Sequence, residues 1–312
     1  MSKDFELKQH NLNSNIELGA KYTTLENINP IGIAFIKKDL WVAENGSTSL
    51  IRYNRKGAFQ ARIFSVNNLT GLVYNKNTTN FSNYRLLAAS EQGTIEGMNT
   101  AINPVNTDVL LTVAGGVFYG LDINVKKHSS YNRLYIANFA SVGAGGSNVL
   151  IYDSTFTAIS SFTDPALADA GYAPFNVMVH DKHVYVAFAR RDGDVADLGD
   201  GFGYIDRFNL DGSGMKRLVN RTGLNAPYGM QVSKCGCYLL VANHGSGLIS
   251  VYKLKCGEFI QYVKDCHCND LLIDGLWDIT EHCDNLFFTA GINEELGGLV
   301  GQLGGCCESS SS

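Results

Sequence analysis

The first 234 residues contain no cysteine, and all eight cysteines lie between Cys235 and Cys307. A disulfide framework for a whole fold needs cysteines throughout, so this clustering excludes one and leaves a local feature. No stretch is apolar for long enough to span a bilayer, and the N-terminus MSKDFELKQHNLNSN lacks an apolar core of signal-peptide length. The expectation is a soluble chain that is not exported by that route. Basic residues form no run and the net charge is only -5, which removes the electrostatic footprint of a nucleic-acid binder. Helical periodicity is missing too, apart from a candidate turn in DPALADAG (164–171). Nucleophilic hydrolysis has no anchor, since there is no G-x-S-x-G elbow. The glycine-rich VGAGGSN (142–148) lacks the lysine and following helix of a phosphate loop.

What remains is glycine and strand formers. There are 33 glycines against 5 prolines, and valine, isoleucine, tyrosine and phenylalanine recur in runs of four to eight with period-two alternation. That is the chemistry of many strands joined by many turns. One motif repeats: apolar residues ending in alanine, then a polar residue or glycine. It appears as LWVAENG (40–46), LLAASEQG (86–93), LYIANF (134–139), VYVAFA (184–189), LLVANHG (239–245) and LFFTAG (286–291). Six copies at roughly forty- to fifty-five-residue spacing match propeller blades. A short apolar segment precedes each copy, and an alternating strand follows most of them.

This order predicts an all-β, six-bladed β-propeller over 1–304. Its blades fall at approximately 29–64, 67–112, 117–162, 173–219, 225–263 and 274–303. The last unit offers only three strands, and an open ring leaves an unpaired edge. FELKQHNL (5–12) alternates acceptably and is the natural fourth strand, with 305–312 left as a disordered Cys/Ser tail.

With the blades laid out, the sequence resembles a bacterial family of NHL-like six-bladed propeller proteins, often exported. The resemblance is carried by NPIGIAF…LWVAENG (29–46), DPALADAGYAPFNVMV (164–179), VYVAFARRDGDVADLGDGFGYIDRFNLDG (184–212), LNAPYGM (224–230) and LLVANHGSGLISVY (239–252). It implies a propeller and brings no reaction with it. The cysteines at blade turns and the serine-rich end depart from the pattern.

Three groups are candidates for chemistry. Aligning the inner segments at Ile33, Leu72, Leu121, Val177, Met230 and Trp277 puts Asp122, Gln231 and Asp278 in one axial register, with Asn176 two residues earlier among glycines. Propeller hydrolases of the gluconolactonase-like type hold a divalent cation near the axis with Asn, Asp and Glu oxygens, as a hard cation requires. Their signature glutamate has no counterpart in NPIGIAF, so channel-lining structural polar residues are the competing reading. Asp192, Asp194, Asp197 and Asp200 in the insertion RRDGDVADLGDGFG form a candidate Ca2+ loop beside the reading of a solvated hairpin tip. Cys235, Cys237, Cys266, Cys268 and Cys283 form a thiol group open to three readings: free thiols, disulfides, or Zn2+ or copper(I) ligation. The aromatics Tyr119, Phe175, Tyr228 and Trp277 recur at blade starts and are read as inter-blade packing.

These observations lead first to a non-enzymatic scaffold recognising a protein or carbohydrate partner through loops 140–148, 190–203 and 264–275. The alternatives are a metal-dependent hydrolase of small esters or lactones, and a structural component crosslinked through cysteines, with Cys306–Cys307 as an intermolecular staple.

Overall fold

The computed structural model describes residues 5–16, 18–77, 79–125 and 131–306. Six small sheets, antiparallel except where Tyr22–Thr23 adds a parallel edge to the sixth, surround a central axis as a six-bladed β-propeller. Blade 1 comprises Pro30–Ile36, Asp39–Glu44, Ser49–Asn54 and Phe59–Phe64, ordered from the axis outward. The inner strands of the next five blades are Leu69–Tyr74, Phe118–Asn124, Tyr172–His180, Pro227–Val232 and Leu276–His282. The helical turn stays a single short element, Pro165–Asp169, capped by the Asp164 side chain accepting from the Ala166 and Leu167 amides.

The recurrent alanine has the role of letting sheets approach. Ala43 and Ala88 are buried where blade 1 meets blade 2, beside Trp41, Leu50, Leu72 and Leu86. Such interfaces repeat around the ring, and each fully buried apolar side chain contributes about 1.5–3 kcal/mol.

The ring is closed by the chain's own beginning. Leu7–Ser14 pairs antiparallel with Leu299–Gly305, the third strand of blade 6. Closure therefore falls two residues later than the 5–12 expected from alternation. Phe5 is not on the ladder; it is buried against Tyr238 of blade 5, ring centroids 5.1 Å apart. Ser14 Oγ donates to Gly298 O at 2.8 Å, and Asn13 Nδ2 donates to Gly57 O at 3.0 Å, tying the latch to blades 6 and 1.

The expected tail also begins too early. Gly305 completes a strand, and Cys306 is disulfide-bonded to Cys266, with a Cα–Cα distance of 5.4 Å. Residues 307–312, including Cys307, lie outside the described residues.

Candidate functional site

Each inner strand runs down the axis and carries a bulge near its start, seen where Pro30 pairs with Glu44 but Ile33 with Val42. The same shift recurs at Leu69/Leu72, Phe118/Leu121, Pro227/Met230 and Leu276/Ile279. These pairings set the true register of the axis and correct one expectation. Ile279, not Trp277, is the equivalent of Ile33 and Leu121, so Asp278 sits one tier above Asp122. Blade 6 has aspartate where four blades have the marker glycine, and an alignment keyed to that glycine slips by two.

Three tiers result. The uppermost contains Ile31, Thr70, Tyr119, Phe175, Tyr228 and Trp277. The rings of Tyr119 and Phe175 are 4.7 Å apart, those of Phe175 and Tyr228 5.2 Å, and those of Tyr228 and Trp277 5.3 Å. Tyr228 is fully buried and its hydroxyl donates to Tyr119 O at 3.0 Å. The aromatics expected to be packing are packing: they plug the axis.

The second tier is Gly32, Gly71, Gly120, Asn176, Gly229 and Asp278. Neighbouring strands approach so closely here that a Cβ on Gly120 would stand 1.9 Å from Asn176 Oδ1. Asn176 and Asp278 are therefore the two side chains at this level. Each uses Oδ1 to accept its successor's amide, Val177 N or Ile279 N, at 2.8 Å. Asn176 Nδ2 also donates to Tyr228 O at 3.1 Å.

The third tier carries Asp122 and Gln231. Asp122 accepts from Ile123 N at 2.7 Å and from Val179 N of blade 4 at 2.6 Å. Gln231 Oε1 accepts from Glu281 N of blade 6 at 3.1 Å. The two make the same clasp, one blade reaching across to the next.

Below the plug the axis opens into a blind well of about 810 Å³ lined by Asp122, Asn176, Gln231 and Asp278, with Lys37, Lys76, His180, Lys234 and His282 at its mouth. All four expected axial residues thus face one cavity. Burial raises Asp122 to about 6, against its two amide donors. Burial likewise raises Asp278 to about 7, with the Asp122 charge adding to it and the amides of Ile279 and Ile33 opposing.

Above the plug lies a second cluster that sequence reasoning missed. His244 stacks on Trp277, centroids 3.7 Å apart, and its Nε2 is 3.4 Å from Glu295 Oε1. Glu295 Oε2 accepts from Asn29 Nδ2 at 3.0 Å, and Asn29 Oδ1 accepts from Trp277 Nε1 at 2.8 Å. Burial lowers His244 to about 4, so the ring is neutral at neutral pH. Glu91 is pushed up by burial, with the neighbouring Asn45, Asn68 and Tyr119 side chains opposing. Glu295 is pushed up by burial and then by Glu91. The signal was present: Asn45, Glu91 and His244 all stand two residues after the motif's alanine, where the chain leaves the second strand at the axis.

The other candidates do not assemble. Among the described residues, no three His, Cys, Asp or Glu side chains gather closely enough to hold a metal ion. Asp197 pairs with Arg190 at 3.3 Å and Asp194 with Arg191 at 3.5 Å, while Asp192 and Asp200 are exposed on the same hairpin. Those ion pairs hold the acids apart as a folded hairpin tip, which does not fit a calcium loop. At the axis, Asp122, Asn176 and Asp278 turn oxygens to backbone amides, which does not fit a divalent cation needing them together. Of the thiol group, Cys266 is consumed by Cys306, and Cys235, Cys237, Cys268 and Cys283 are exposed singly or as the 235/237 pair. The same bond takes Cys306 out of the expected intermolecular staple. No helix among the described residues is long and apolar enough to cross a membrane.

No family model matches the chain. Two solved structures share its fold: a luciferin-regenerating enzyme, with a TM-score of 0.56, 12% identity and 90% of this chain and 92% of that one covered, and a putative 6-phosphogluconolactonase from Bacteroides uniformis, with a TM-score of 0.50, 15% identity and 78% and 70% covered. Among curated proteins, the Acanthamoeba polyphaga mimivirus "Uncharacterized protein R648" is 30% identical over 319 residues, covering 91% of this chain and 76% of the relative. A second uncharacterized protein of the same virus is 29% identical over 330 residues, covering 95% and 85%. These relatives are viral, not the bacterial proteins that the sequence motifs suggested. The chain belongs to the family of these mimivirus proteins.

Proposed function

We propose that the protein is a non-enzymatic binding propeller whose loops 140–148, 190–203 and 264–275 recognise a protein partner. The observation that carries this is a set of exposed aliphatic side chains on those loops: Val142 at 58%, Val195 at 58%, Leu198 at 52% and Leu272 at 65%. Strand direction puts 140–148 and 190–203 on the face where the inner strands begin; 264–275 leaves the lower end of blade 6, where Cys266 is bonded to Cys306, and reaches the upper face at Leu272 and Ile273, Ile273 N donating to Gly247 O. Exposed aliphatic groups on loops of a rigid disc support a protein contact there. A carbohydrate partner is less well served, because the central aromatics on this side, Tyr119, Phe139, Phe175 and Trp277, are buried in the plug and Phe202 lies under the Arg190 guanidinium.

The test is site-specific photo-crosslinking in the native host, with the reactive residue placed at Leu198, at Leu272 and, on the lower face, at Lys37. The expected result is the same crosslinked protein from positions 198 and 272 and none from 37. Equal crosslinking from both faces, or none from the upper one, overturns the reading.

The well supports a second reading, a small polar ligand on the lower face. Its favouring observation is the pair of carboxyls, Asp122 and Asp278, titrating near neutrality at the floor of a deep pocket. A hydrolase of small esters or lactones would draw its acid and base from that pair. The metal-dependent form of that reading is weakened by the turned-away axial oxygens.

A further inference from the structure

Blade 5 turns from Pro227–Val232 into Tyr238–Asn243 through Ser233-Lys234-Cys235-Gly236-Cys237. Gly236, at φ +69°, takes the left-handed conformation that side chains avoid. Its amide donates to Ser233 O at 2.8 Å, and Ser233 N donates to Tyr238 O at 3.0 Å, so the turn is fixed by its own backbone. The turn arranges donors around one sulfur. Ser233 Oγ is 3.3 Å from Cys235 Sγ, and Cys237 N is 3.4 Å from it. Cys237 Sγ instead points at Cys235 O, 3.4 Å away. Both thiols are exposed.

We propose that Cys235 and Cys237 form a dithiol that exchanges with accessible disulfides, Cys235 as the nucleophile and Cys237 as the resolving thiol. Donors around a sulfur favour its thiolate, the species that attacks. The Ser233 hydroxyl and then the Cys237 groups hold the Cys235 thiol below its ordinary range, and Cys235 pushes the Cys237 thiol up. The two roles are thereby separated.

The Cys235 thiolate attacks one sulfur of the substrate disulfide, whose S–S bond breaks as the mixed disulfide forms. The departing thiolate takes a proton from solvent. Cys237 gives up its proton and attacks Cys235 Sγ, releasing the second substrate thiol. The substrate gains two electrons and the turn becomes a Cys235–Cys237 disulfide. Next-but-one residues in a tight turn lie inside the roughly 7 Å Cα separation that a disulfide spans. Ser233, Lys234 and Gly236 line the mouth of the axial well, and Gly236 and Cys237 line a neighbouring groove of about 590 Å³, so a substrate approaches from the lower face.

Oxidised glutathione, added at neutral pH to the full chain with its exposed thiols freshly reduced, tests this by mass spectrometry. The expected course is a transient adduct on Cys235 followed by a Cys235–Cys237 bond, at least about tenfold faster than adduct formation at the exposed Cys256, Cys268 and Cys283. Cys237→Ser should stop at a stable Cys235 adduct, and Cys235→Ser should abolish the fast phase; both positions are exposed, so circular dichroism should match the wild type. Adducts spread evenly over the five exposed thiols among the described residues, a fast phase that survives Cys235→Ser, or a wild-type chain that never forms the bond overturns the proposal.

Discussion

The two ends of the axis are built by the same six strands and differ almost completely. Above the glycine tier the strands present Tyr119, Phe175, Tyr228 and Trp277, which meet and shut the channel. Below it they present Ala34, Val73, Asp122, Met178, Gln231 and Thr280, which leave a well. The bulge is the cause. It makes consecutive residues, such as Tyr228 and Gly229, both contribute to the axis, one filling it and one yielding space to its neighbour. A propeller can therefore seal one end of its axis and keep a polar pocket at the other by changing single tiers.

The largest effect should come from opening the sealed end. Tyr228→Ala removes a fully buried ring and its hydrogen bond to Tyr119 O, and should cost about 3–5 kcal/mol in denaturant unfolding. A loss below about 1 kcal/mol would mean that the plug is not packed. Gly120→Ala probes the boundary between the two ends and should cost about 1–3 kcal/mol, since the new Cβ meets Asn176 Oδ1. Gly143→Ala on an upper loop, with nothing within 4 Å, should stay within about 0.5 kcal/mol; equal effects would erase the distinction. The remaining prediction concerns pH. Asp278 titrates higher in the fold than its ordinary value of 3.8, so the folded state holds the extra proton. Its contribution is present at low pH and is lost as pH rises from about 4 to about 7. Asp278→Asn, whose Oδ1 can accept from Ile279 N as that of Asn176 does from Val177 N, should flatten that part of the stability-against-pH curve. An unchanged slope would place the carboxyl in water.

Much of this was legible in the sequence. Six copies of the alanine motif gave the blade number, and the aromatics at blade starts were recognisable as packing because they recur at one position per repeat. Asp122 was found because it stands in register with a clear repeat. Asp278 was assigned to the wrong tier because aspartate had replaced the glycine that marks the register. Glu91, His244 and Glu295 were missed for other reasons. Glu91 and His244 share a position two residues after the motif's alanine, a signal that went unread, whereas Glu295 lies in the loop before the last strand, where no repeat position marks it as reaching His244. The Cys266–Cys306 bond was equally hidden, since the last strand of the chain had to be placed beside the connection from blade 5 before the two sulfurs could be matched.

The claim that the lower end is a blind well whose floor carboxyls are buried away from bulk water is tested most directly by titrating that floor. Carboxyl carbon resonances of aspartate-labelled protein, assigned through Asp122→Asn and Asp278→Asn, should give midpoints near 6 for Asp122 and near 7 for Asp278. Midpoints for both at the ordinary value of 3.8 would contradict the account and describe an axis open to bulk water.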